Sequence, residues 1–228
     1  MHVEIWSDIA CPWCYVGKRR FEAALAAFPH RDEVQVTWRS FELDPGAPAE
    51  RPEGGATHLA RKYGISREQA LEMEASMTAT AAGDGLDFRF DRLRPGNTFD
   101  AHRLVHLAQA HGVQDAMKDR LMRAYLGEGE LIADHAVLER LAGEVGLPAD
   151  EVGEVLTTDL YAEEVRADER TAASLGISAV PFFVLDRKVG AAGAQPAEAL
   201  LALLVDARPH EPALEIVTGG SACGPDGC

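Results

Sequence analysis

Cys11-Pro12-Trp13-Cys14, behind the opening Val3-Glu4-Ile5-Trp6-Ser7-Asp8-Ile9-Ala10, is the stretch on which the fold turns. Val3, Ile5 and Ile9 mark an extended segment. Pro12 suits the first helical position, where a missing N–H has no intrahelical partner to lose. Cys11 is then the N-cap and Cys14 the third helical residue, whose backbone N–H is expected to point at the Cys11 sulfur. A free thiol has a pKa of about 8.5 and is mostly protonated at neutral pH. One at a helix N-terminus meets unpaired N–H groups and the positive end of the backbone dipole, and its pKa falls to roughly 3.5–7.5. Cys11 is the candidate nucleophile and Cys14 the resolving thiol.

Other readings of a CxxC pair are half of a zinc site, a static disulfide, or two unconnected core cysteines. The remaining cysteines, Cys223 and Cys228, are five apart at the far end of the chain, which does not match a zinc-finger spacing. A disulfide across so short a loop contributes little to stability. Redox chemistry is the favoured reading, with no metal.

The rest of the chain sets bounds. Its 228 residues, 46% of them hydrophobic, suffice for one large domain or a domain with a sizeable insertion. The net charge of −15, from 22 basic and 37 acidic residues, argues against nucleic acid or an anionic membrane surface as main partner. No run of 18 apolar residues is present, and the opening Met-His-Val-Glu-Ile-Trp lacks the basic and apolar regions of a secretory signal. The expectation is a cytoplasmic protein, where a cysteine pair is more often catalytic than structural.

Outward from the motif, Val16, Phe21, Leu25 and Phe28 recur at helical spacing, and Val34, Val36 and Trp38 alternate like a strand with one buried face. Asp44-Pro45-Gly46 forms a turn, followed by an irregular Pro/Gly-rich stretch. From about 57 to 175 helix follows helix. Ser66 with Gln69 makes a capping box, and Asp134 and Asp150 open later helices. One helix is expected to stop at Gly127, and Leu86, Phe88 and Phe90 alternate through a short extended piece. Strand signals return in Val180–Asp186 and Val189–Ala194, before a final helix from Pro196. The pattern is one α/β layer interrupted by an all-helical block. The divisions are residues 1–44, a helical insertion 45–175, residues 176–208, and a tail 209–228.

Three separated motifs carry a resemblance: Ser7-Asp8-Ile9-Ala10-Cys11-Pro12-Trp13-Cys14-Tyr15-Val16-Gly17-Lys18, Asn97-Thr98-Phe99-Asp100-Ala101-His102-Arg103, and Gly176-Ile177-Ser178-Ala179-Val180-Pro181-Phe182-Phe183. Over about residues 2–206 the chain resembles the DsbA-type thiol-disulfide oxidoreductases of the thioredoxin superfamily, and within them the FrnE-like proteins. The resemblance implies a thioredoxin-like α/β fold with a large helical insertion. It implies that Cys11 attacks, Cys14 resolves, and Val180-Pro181 is a cis-proline loop opposite the pair, where the Val180 backbone meets substrate. Trp13 is read either as an apolar contact for substrate or as a cover for the helix start. Protein or small-molecule thiols and disulfides are the implied partners. No cofactor is called for beyond the redox-active pair, with glutathione admissible as reductant and a homodimer admissible as assembly.

Some residues are read more plainly. Asp8 is expected to be a solvated loop carboxylate rather than a shuttle for the Cys14 proton, and Asn97 a helix cap. Cys223-Gly224-Pro225-Asp226-Gly227-Cys228 has strong turn chemistry that brings its two thiols together, so it is either a second redox pair serving Cys11 and Cys14, a tail with incidental cysteines, or a metal-binding end. Two rival functions stay open. One is a glutathione-dependent transferase or isomerase of the kappa or hydroxychromene-carboxylate type, whose attacking position is serine rather than the cysteine found here. The other is a redox-switched binding protein.

Overall fold

The structure, a computed structural model, describes residues 1–207. Among these, β1 (His2–Ser7), β2 (Gln35–Ser40), β3 (Phe182–Leu185) and β4 (Val189–Ala192) form a mixed sheet in the order β2-β1-β3-β4. β1 runs parallel to β2, with Ile5 opposite Trp38, and antiparallel to β3, with Ile5 opposite Phe183. A parallel pair needs a crossover connection, and α1 (Pro12–Ala27) supplies it. The hairpin of β3 and β4 leads into α9 (Ala197–Asp206), which packs on α1.

Seven helices occupy the chain between β2 and β3 among the described residues. They are α2 (Gly55–Tyr63), α3 (Arg67–Gly83), α4 (Phe99–Ala110), α5 (Gln114–Arg123), α6 (His135–Glu144), α7 (Ala149–Thr157) and α8 (Ala162–Ser174). A sheet layer interrupted by a block of helices is the arrangement expected of a thioredoxin-like α/β fold with a large helical insertion. The Ser66–Gln69 capping box forms as read, and the Asp134 side chain accepts from the Ala136 and Val137 amides.

Three local expectations change. The helix read as ending at Gly127 runs on from α5 through a wide π turn over Ala124–Glu128, and Gly129 closes it at φ 75°. A Cβ at 129 would lie 2.7 Å from the Arg92 carbonyl oxygen, so side-chain-free backbone is needed there. Among the described residues the 86–90 stretch pairs with no strand. Arg89 N donates to Leu126 O at 2.8 Å, and Phe90–Arg92 then turns as a single 3₁₀ unit. Asp150 lies in the first turn of α7, behind Pro148 as the N-cap.

Both faces of the sheet are covered. Val3, Ile5, Phe183 and Leu185 share a core with Phe21 of α1 and Leu200 and Leu204 of α9. Trp6 and Val184 point the other way, as alternation requires, onto Ala172 of α8 and Ile177. Trp6 Nε1 donates to the Asp168 carbonyl at 3.0 Å, which satisfies the one polar atom of its ring. The expectation of one buried face on β2 fails for the same reason. Thr37, Trp38 and Ser40 are all buried, because α5 and α8 both pack on that strand.

Candidate active site

β1 ends at Ser7, and three residues later the chain enters α1 with Cys11 as N-cap at φ −91°, ψ 112°. Pro12 takes the first helical position. The Cys14 amide does not reach the Cys11 sulfur as expected. It donates to the Cys11 carbonyl at 3.1 Å, which closes a tight first turn and leaves the sulfur without a capping hydrogen bond. Cys11 and Cys14 are both free thiols. Cys14 is wholly buried, Cys11 is 5% exposed, and Trp13 between them is 46% exposed.

The Val180–Pro181 bond is cis, and its loop lies against the start of α1. The Cys11 Sγ is 3.8 Å from the Val180 carbonyl oxygen, a weak S–H···O contact. Gly17 permits the approach, since a Cβ there would lie 2.9 Å from Pro181 Cγ. The structure thus brings Cys11, Cys14, Val180, Pro181 and Trp13 to one place. Cys223 and Cys228 lie outside the described residues.

Beneath the pair is a buried polar cluster that the sequence did not announce. Asp8 is 1% exposed, so it is no solvated loop carboxylate. Its Oδ1 accepts from the Ala10 amide at 3.3 Å and its Oδ2 from the Leu43 amide at 2.8 Å, tying the cysteine loop to the segment after β2. His102 of α4, fully buried, places Nε2 3.3 Å from Asp8 Oδ1. Burial pushes Asp8 upward, but the His102 hydrogen bond and charge, the Leu43 amide and the Lys118 charge outweigh it and hold the carboxyl below its usual value. Burial and then the charge of Lys118 lower His102, against the hydrogen bond and charge of Asp8, and its Nε2 donates to the Asp8 carboxylate. Its Nδ1 is buried with no hydrogen-bond partner among the described residues.

Lys118 of α5 is the third member. It is wholly buried and donates from Nζ to the Ser7 carbonyl at 3.1 Å. Burial pushes it down to about 8, against the opposing pull of Cys14, Asp8, Cys11 and Asp168. Cys14 moves the other way. Burial, then the hydrogen bond and charge of Cys11, raise its thiol well above the usual range, while the Asp8 amide and Lys118 draw it down.

A signal for Lys118 was present in the spacing. Gln114, Met117, Lys118, Leu121 and Met122 form one buried stripe of α5, with a lysine at an apolar position. Asn97 is not the N-cap of α4, which is Thr98; it stands one residue earlier, with its Oδ1 accepting from the Phe99 amide at 2.8 Å. A cavity of about 630 Å³ opens beside the pair, with Cys11, Trp13 and Val180 on one wall and residues of α2 and α3 on the other.

Comparison with known proteins agrees with this fold. The DSBA-like thioredoxin domain family matches residues 2–205. The probable DsbA oxidoreductase SCO1869 of Streptomyces coelicolor is 51% identical, with a TM-score of 0.87 over 100% of this chain and 98% of that one. The uncharacterized protein YwbO of Bacillus subtilis (strain 168) is 29% identical over 198 residues, 85% of this chain and 92% of its own length. The cytosolic disulfide reductase DsbM of Pseudomonas aeruginosa, at 21% identity, shares the fold with a TM-score of 0.65 over 90% of this chain and 98% of that one.

Proposed function

This chain belongs to the DSBA-like thioredoxin domain family, and we propose that it exchanges disulfides through Cys11 as attacking and Cys14 as resolving thiol. The observation that carries the reading is the Cys11 sulfur at the start of α1, 3.8 Å from the Val180 carbonyl of the cis Val180–Pro181 bond. An anionic sulfur there faces the positive end of the helix dipole. The open Val180 backbone is placed to hold a substrate disulfide alongside.

In the first step the Cys11 thiolate attacks one sulfur of the substrate disulfide. That S–S bond breaks, one substrate thiolate leaves and takes a proton, and Cys11 is left in a mixed disulfide. The second step needs the Cys14 thiolate. Part of what keeps Cys14 protonated is the hydrogen bond and charge of Cys11. Both vanish once the Cys11 sulfur is bonded to substrate, whereas the Lys118 charge and the Asp8 amide remain to draw the proton off. Cys14 then attacks Cys11, the second substrate thiolate leaves, and the 11–14 disulfide closes. One disulfide is reduced to two thiols and one dithiol is oxidised, so the electrons balance. With the steps reversed, the oxidised pair passes its disulfide to a dithiol.

Asp8 serves in this scheme as an anchor. A carboxylate saturated by two backbone amides and an imidazole is a weak base, and its bonds hold the cysteine loop. Reduction of insulin disulfides with dithiothreitol as electron donor tests the proposal. Cys11→Ser is expected to abolish turnover, and Cys14→Ser to accumulate a mixed disulfide visible by mass. Turnover that survives Cys11→Ser overturns the assignment.

A further inference from the structure

The cavity beside Cys11 has features that thiol exchange alone does not require. Cys11 is 5% exposed and lines this space, so a disulfide reaches its sulfur through the cavity rather than across an open face. About 630 Å³ lies within the roughly 300–1,000 Å³ typical of small-molecule sites. Four of the large apolar side chains that the protein leaves exposed line it: Trp13 at 46%, Leu43 at 41%, Tyr63 at 57% and Met73 at 47%. Such a concentration of exposed apolar surface marks a binding site rather than scatter.

The wall contributed by α2 and the segment before it carries cationic side chains, while Asp8, Asp44 and Glu74 also line the cavity, in a chain of net charge −15. Arg51, His58 and Lys62 line the cavity there. Arg51 pairs with Asp44, whereas no ion pair engages Lys62 among the described residues. His58 has a buried Nδ1 with no hydrogen-bond partner among the described residues, and burial together with the charges of Arg51, Arg61 and Lys62 lowers its imidazole. Glu74 faces this wall from α3, and burial raises its carboxyl.

We propose that this cavity takes small-molecule disulfides, apolar in the body and anionic at the end away from the sulfur, and presents them to Cys11. The inference rests on Cys11 being the attacking thiol. The exchange forms a bond between Cys11 Sγ and one substrate sulfur, breaks the substrate S–S bond, and releases the other half as its thiolate.

The test uses the full chain with Cys14→Ser, Cys223→Ser and Cys228→Ser, which leaves Cys11 as the last of four cysteines. Its reaction is timed with 5,5′-dithiobis(2-nitrobenzoate), aromatic and anionic, with 4,4′-dithiodipyridine, aromatic and neutral, and with cystamine, cationic and without an apolar body. Each rate is divided by that disulfide's rate with free cysteine. The expected order is nitrobenzoate, then dithiodipyridine, then cystamine. Lys62→Glu should lower the nitrobenzoate-to-dithiodipyridine ratio by about fivefold, the size expected for reversing one exposed charge. Met73→Asp should lower both aromatic rates relative to cystamine. No preference in the parent, or a ratio unmoved by Lys62→Glu, overturns the inference. So does insulin turnover that falls in step with the ratio when Lys62→Glu is placed in the four-cysteine protein, because a polypeptide is then the occupant. A Cys11 thiol that reacts with none of the three disulfides refutes instead the assignment of Cys11.

Discussion

Replacing Lys118 with methionine keeps the length of the side chain and removes the ammonium from beneath the cysteine pair. Lys118 falls from 10.5 to about 8 in the folded protein. At about 1.4 kcal/mol per pKa unit, the charged form is disfavoured by about 3 kcal/mol on folding. A depressed amine sets the sign. The penalty is fully present below about pH 8, shrinks as pH rises towards the unfolded value of 10.5, and is absent above it. Methionine never carries it, but leaves the Ser7 carbonyl without its donor, at a cost of about 1–3 kcal/mol at every pH. The variant is therefore expected to be as stable as the parent or up to about 2 kcal/mol more stable at pH 7, and less stable by about 1–3 kcal/mol near pH 10.5. Urea unfolding of both proteins under reducing conditions, at intervals from pH 7 to pH 10.5, measures the difference. Two parallel stability curves would refute the reasoning, since a lysine charged throughout that range carries no such penalty. The charge also favours the reduced, thiolate-bearing state, so Lys118→Met should move the Cys11–Cys14 potential to more negative values. A shift of about 30 mV would correspond to about 1.4 kcal/mol.

Four further outcomes are expected. Gly17→Ala gains about 0.5–1 kcal/mol of helix propensity but drives a methyl to 2.9 Å from Pro181, an overpacking cost of about 1–3 kcal/mol. Thermal unfolding should show a small net loss and insulin turnover a larger one, as the Val180 carbonyl is displaced; a stabilised, fully active variant would contradict the contact. Asp8→Asn puts an amide donor among the Ala10 and Leu43 amides and the His102 imidazole, and should cost about 1–3 kcal/mol by urea unfolding, with slower turnover. Glu4 is buried against Arg39 and Arg187, whose hydrogen bonds and charges overcome burial and lower its carboxyl. Its contribution is present above the unfolded value of 4.5 and lost as pH falls through the lower folded value, so Glu4→Gln should flatten the acid limb of the stability profile. A relay through the second cysteine pair predicts slower steady-state turnover of protein substrate in Cys223→Ser/Cys228→Ser, and unchanged turnover would end that role.

Much of the candidate site was legible because its signals are local. The cysteine spacing, Pro12 at a helix start, and the capping residues Ser66, Gln69 and Asp134 act within four residues of where they stand. Chain geometry alone therefore dictates their placement. The cis form of Val180–Pro181 came only from resemblance, since both isomers satisfy the same local residues. Gly127 misled for a related reason. Either glycine could have ended the helix, and the choice of Gly129 depends on the close approach of Arg92 from the 3₁₀ turn.

The sequence by itself determined the α/β order and the reactive pair. Tertiary structure alone decided what surrounds the pair. Asp8 meets His102 across 94 residues and Lys118 meets Ser7 across 111, so no window on the chain reveals that these groups come together beneath the cysteine pair. Burial is a property of everything packed around a group, and it moves a proton equilibrium by removing water rather than by changing the residue. That is why one cysteine motif can be read from four letters, while the charges that tune it appear only when α4 and α5 close over β1.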